Sequence, residues 1–155
     1  MSDKTTIEDF LASSGKVTYS NVGTSMLPLL HQGRDLFTVC KKTEARCKKY
    51  DVVLYHGSQG RYILHRVIKV RQDDYVIRGD NCINKEYGIT DDDILGVMSG
   101  FIRNGKTIST DDLGYRVYSV LWCAIAPVRI SFKKIRIKIK SWKHSLKILI
   151  KKIIK

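Results

Sequence analysis

Proline is scarce in this chain, with two in 155 residues, and glycine numbers eleven. That scarcity excludes a proline- or glycine-rich low-complexity segment, and no internal repeat is visible. The four cysteines, Cys40, Cys47, Cys82 and Cys123, form no C-x-x-C pair and lack the paired His spacing of a zinc site. They read as reduced, packed residues, and neither a metal nor a cofactor is expected. The N-terminus, Met1-Ser2-Asp3-Lys4, has no basic region leading into an apolar run, so no secretory signal is visible. The longest apolar run, near 120–128, falls far short of the roughly 20 residues a spanning helix needs. The expected location is therefore cytoplasmic or peripheral to a membrane. No groove-reading motif is present and aromatic interleaving is sparse, which argues against nucleic acid as a partner.

Acid is missing from one end. Residues 129–155 carry 11 Lys and Arg and no Asp or Glu, whereas residues 1–128 carry 17 Lys and Arg against 15 Asp and Glu. The chain thus divides into a near-neutral domain and a basic, Ile-rich tail suited to an anionic membrane surface. The boundary is expected at 114/115.

Thr6 can cap a short helix with Ile7, Phe10 and Leu11 on one face, stopped by Ser13-Ser14-Gly15. From Lys16 the pattern is β. Strands are expected at 17–22, 36–40, 51–55, 61–71, 75–78, 94–103 and 106–109, with a hairpin loop at 56–60. Asn104-Gly105 is the strongest turn signal. Short strands linked by hairpins predict a mainly β fold, a curled, barrel-like antiparallel sheet. Lys41–Arg46 reads as a solvated polar stretch. Beyond Asp112, residues 115–126 read as a helix closed by Pro127. Ile135, Ile137 and Ile139 alternate with basic residues, a β-like period. From Ser141 the spacing is helical: Trp142, Leu146, Leu149, Ile150 and Ile153 share one side, and Lys143, Lys147, Lys151 and Lys155 the other.

One stretch carries chemical interest, Asn21-Val22-Gly23-Thr24-Ser25-Met26-Leu27-Pro28. Gly and Pro bracket Ser25 and hold its hydroxyl at a rigid bend. A Ser hydroxyl is a poor nucleophile until a base takes its proton. Of the four histidines, His31, His56 and His144 fall in loops or the tail and read as surface residues. His65 lies in a strand between Ile63 and Val67 on the same face, so it points inward. An imidazole is largely neutral at physiological pH and able to act as a base, with activity expected to fall below about pH 6.5. Asp80 and Glu86 are both candidates to orient it, and the Ser25 N–H is the simplest oxyanion donor.

Assembled, these residues resemble the LexA/signal peptidase I superfamily of serine peptidases. Gly23-Thr24-Ser25-Met26-Leu27-Pro28 is similar to the nucleophile box, with Gly33 and Asp35 as its downstream pair. The segment from Asp51-Val52-Val53-Leu54-Tyr55 to His65-Arg66-Val67 matches the strands that deliver the base. Gly79-Asp80-Asn81 with Leu95-Gly96-Val97 matches the closing block. A His at the base position resembles the endoplasmic-reticulum and archaeal branch, which uses Ser, His and Asp. Glu86 stands where that branch has its Asp, six residues past Asp80, and Gly23 stands where bacterial enzymes often carry a hydroxyl for the oxyanion. The resemblance implies a serine endopeptidase cutting an extended leader or signal-like peptide added along a strand edge. The alternative is a peptide-binding or membrane-surface module that keeps the fold without turnover. A LexA-like self-cleaving regulator is a third reading, disfavoured by the His and by the lack of a DNA-binding segment.

Overall fold

The computed structural model describes residues 6–57 and 60–153, with side chains through residue 146. The tip of the expected 56–60 loop lies outside the described residues, as do the side chains of Lys147, Leu149, Ile150, Lys151 and Ile153, and Lys155.

Thr6 caps the first helix as expected: its hydroxyl accepts from the Asp9 amide while the Asp9 carboxylate accepts from the Thr6 amide, a reciprocal cap on α1 (Ile7–Ser14). Among the described residues eight strands follow: β1 (Lys16–Ser20), β2 (Asp35–Lys41), β3 (Val52–His56), β4 (Tyr62–Val70), β5 (Tyr75–Arg78), β6 (Glu86–Ile89), β7 (Ile94–Arg103) and β8 (Lys106–Ser109). Every pairing is antiparallel, so the fold is mainly β, as the hairpin spacing predicts. The strand order is β1-β2-β7-β3-β4-β5-β6 with β8 added to β7, so the sheet is open and not the curled, barrel-like one expected, because its end strands β1 and β6 do not pair with each other. The β7–β8 turn has positive φ at both Asn104 (50°) and Gly105 (74°), the backbone that a two-residue Asn-Gly hairpin demands. Only β6 has no counterpart in the sequence reading.

The core lies on both faces of β3. Val52 and Leu54 pack on one side with Met26, Leu30, Val39 and Met98. Val53 and Tyr55 pack on the other with Val67, Tyr75 and Ile77. Each such fully buried side chain contributes roughly 1.5–3 kcal/mol. A strand covered on both sides reads as an unbroken apolar run, which is why Val52-Val53-Leu54-Tyr55 shows no alternation.

Among the described residues two helices follow the sheet, α2 (Leu113–Ala124) and α3 (Ala126–Ile153). Pro127 does not close the first; it falls in the opening turn of the second, where its missing N–H leaves no helix bond unmade. The compact units run to Cys123 and from Ala124. The expected boundary at 114/115 therefore moves, because Tyr115, Tyr118, Ser119 and Trp122 are hydrogen bonded to the sheet domain. Ile135, Ile137 and Ile139 belong to α3 rather than to a strand. Lys42 and Arg46 are not merely solvated, since both pair with Asp91. Among the described residues, no helix is long and apolar enough to cross a membrane.

Candidate active site

The Ser25 bend is anchored from below and from both sides. Met26, next to Ser25, is fully buried, and the Leu30 amide donates to its carbonyl at 3.0 Å. The Gly23 amide donates to Gln32 Oε1 at 2.8 Å, and the buried Asn21 side chain donates to the Gly23 carbonyl at 3.3 Å. The Leu27–Pro28 peptide is cis. At the far end of the loop Asp35 accepts from the His31 amide and from Arg34 and Arg103. Burial would raise its pKa, yet the hydrogen bonds from Arg34 and Arg103 hold the carboxyl well below the usual carboxylate range. The loop that presents Ser25 is thus fixed at its start, middle and end.

The candidate base comes from β4. His65 is buried, and its Nδ1 lies 2.7 Å from Glu86 Oε1 on β6. The other Glu86 oxygen accepts from the Tyr55 hydroxyl at 2.7 Å, and that hydroxyl also lies 3.2 Å from His65 Nδ1. A carboxylate at Nδ1 favours the tautomer with the proton there, which leaves Nε2 as the acceptor. Burial lowers the His65 pKa from its ordinary value and outweighs the opposing pull of Glu86. The imidazole is therefore neutral at physiological pH. Residue 79 approaches its Nε2 side closely and has to be glycine there: a Cβ would sit 2.7 Å from His65 Nε2.

Asp80 acts on His65 through its charge, which favours the imidazolium, while its carboxylate accepts from Arg66 and Tyr118. Its two carboxylate oxygens accept from Arg66 Nε and Nη2, each at 2.8 Å, and the pair is almost wholly buried. Arg66 Nη1 donates to the Tyr50 carbonyl at 2.9 Å and to Ser119 Oγ at 2.8 Å. Tyr118 donates to Asp80 Oδ2 and Trp122 to the Asp80 carbonyl, both at 3.0 Å. Such a pair stands only where its remaining donors and acceptors are met, as here. It locks the strand position after His65 to the loop position after Gly79. One residue further on, the Asn81 amide donates to the Ser25 carbonyl at 2.7 Å, and its side chain to the Thr24 carbonyl at 3.0 Å. Of the two acids, then, the geometry gives Glu86 to the imidazole and Asp80 to the scaffold.

Ser25 and His65 line one cleft of about 790 Å³, between the end of β1 (Tyr19, Ser20) and the start of β4 (Tyr62, Ile63). No hydrogen bond joins Ser25 to His65 among the described residues. His56 is half exposed and pairs with Glu8 of α1. No group of three or more His, Cys, Asp or Glu among the described residues is placed to hold a metal ion. All four cysteines are free thiols, and burial pushes Cys47 up to about 11, so it is an inert packing residue.

The sequence reading gave no role to Tyr55 or Arg66. Tyr55 is one of four successive buried residues in β3, and a phenol in such a strand has to find a partner; that was the available signal. Arg66 gave a similar one, a guanidinium between apolar strand neighbours. Compared with family models, curated proteins and solved structures, the chain matches none.

Proposed function

We propose that the chain is a serine endopeptidase, similar to the Ser/His branch of the signal peptidases, acting on an extended leader or signal-like peptide. One observation carries this reading. A buried, neutral imidazole has Nδ1 on a carboxylate and Nε2 beside a residue without a side chain, and it shares its cleft with Ser25.

In the proposed reaction Ser25 Oγ attacks the scissile carbonyl as His65 Nε2 takes its proton. Glu86 holds the Nδ1–H and stabilises the imidazolium that forms. The Ser25 N–H supports the oxyanion, a contribution of about 10²–10³-fold in rate per donor. His65 then returns the proton to the leaving amine, and water releases the acyl group by the same route. The peptide lies extended along the cleft, where β1 ends the strand order and offers an open edge for main-chain pairing. Small residues before the cut are expected by likeness to the family.

The rival reading, peptide binding without turnover, draws on the missing hydrogen bond between Ser25 and His65. Catalytic hydrogen bonds often tighten only when substrate is bound, so the open pair suits an enzyme at rest as well. Labelling with a fluorophosphonate probe separates the two. Labelling of the unmodified chain that is lost in Ser25→Ala and His65→Ala is the expected result. An unlabelled parent, with and without anionic lipid, would favour the binding module.

A further inference from the structure

The alternation of Ile135, Ile137 and Ile139 with basic residues changes meaning once the segment is helical. In α3, Val128, Phe132, Ile135, Ile139, Trp142 and Leu146 are spaced alternately four and three apart, which aligns them in one stripe. Ile137 falls across the helix from that stripe. The stripe is not covered: Phe132 and Trp142 are each 65% exposed, and Ile139 is 47% exposed. Lys134, Arg136, Lys138, Lys140 and Lys143 stand around it, all exposed, and residues 126–146 contain no acid.

A four-three spacing is also the seam of a coiled coil, so a second copy of the chain is the first occupant to weigh. The flanking charges oppose it. In a parallel pair Lys138 of one copy would face Lys143 of the other, and with no acid in the segment no flanking position offers a compensating charge. The occupant must be apolar where it meets the stripe and negative where it meets the lysines. A groove of nucleic acid satisfies the second requirement and not the first. An anionic bilayer satisfies both, because acyl chains lie directly beneath the phosphate layer.

We infer that α3 lies in the plane of an anionic lipid surface, with Phe132, Ile139 and Trp142 among the acyl chains and the Lys and Arg side chains at the headgroups. This inference stands independently of the peptidase reading, since it uses no residue of the cleft.

The test is flotation of the full chain with vesicles of phosphatidylcholine alone or mixed with phosphatidylglycerol, at low and high salt. The inference requires binding to the mixed vesicles only, weakened by salt. Each Lys→Gln change at 134, 138 or 143 should weaken binding about fivefold, the equivalent of ~1 kcal/mol per basic residue at an anionic surface. Phe132→Gln and Trp142→Gln should each weaken it too, whereas Ile137→Gln should not. That contrast reads the helical register, because an extended segment would place Ile137 beside Ile135 and Ile139. Circular dichroism of each variant confirms an intact fold. Three results would overturn the inference: equal binding to neutral vesicles, a salt-insensitive dimer in sedimentation equilibrium that buries Trp142, or capture by duplex DNA with no binding to the mixed vesicles.

Discussion

Both carboxylate oxygens of Asp80 are taken by Arg66, while Glu86, six residues later, reaches His65. Two acids equally placed by spacing thus have separate tasks, and substitution should separate them. Asp80→Asn leaves the buried Arg66 charge uncompensated and should cost about 3–5 kcal/mol of stability. Glu86→Gln, whose side chain is 37% exposed, should fold nearly as well as the parent. Its loss should appear in kcat, by about 10²–10⁴-fold. Urea denaturation read beside peptide hydrolysis distinguishes them. Loss of stability in Glu86→Gln with activity kept in Asp80→Asn would reverse the assignment.

In the proposed reaction the acid limb of the rate follows from burial. Desolvation holds the His65 imidazole below its ordinary 6.5, against the pull of Glu86. Base activity should therefore persist at pH 6.5 and fall only as pH drops through the lower folded value. Stability moves in the same direction. The unfolded chain takes up the proton first, so this contribution is full above 6.5 and is lost as pH falls through the folded value. Glu86→Gln removes the charge that favours imidazolium and should shift the limb lower still. A kcat/KM profile with an NMR titration of His65 measures both, and a limb above 6.5 would contradict the burial argument.

A methyl group is enough to test the clearance at Nε2. Gly79→Ala would place Cβ 2.7 Å from His65 Nε2 and 2.8 Å from Cys82 Sγ. Both contacts are too short, so His65 and Cys82 each have to give way. Displacing a catalytic group by about 1 Å costs on the order of 10²-fold in rate, so kcat should fall while the melting temperature shifts by only a few degrees. Unchanged hydrolysis would mean that Nε2 is not the working nitrogen.

The residues of the site differ in how they could be read from the chain. Ser25 was legible because Gly and Pro around it announce a fixed bend, and His65 because its strand neighbours are apolar. The choice between Asp80 and Glu86 was not, because it depends on how β6 pairs with β5, where Ile77 faces Glu86 across the ladder. Arg66 looks local in the sequence, yet its partners Asp80, Tyr115 and Ser119 are distant in the chain. In the tail, five residues of alternation matched a strand, since i and i+4 share a face in both structures and Ile137 alone distinguishes them. The helix extends through it because the apolar spacing from Val128 onward is consistent only at the helical period.

The segment from Arg78 to Glu86 meets the site at successive points. Gly79 clears the imidazole, Asp80 grips Arg66, Asn81 holds the Ser25 and Thr24 carbonyls, and Glu86 returns to His65 Nδ1. It serves as a ruler laid between Ser25 and His65. Its composition can vary where side chains face water, but its length cannot. One inserted residue would leave each part of the site intact and set them at the wrong distance from one another.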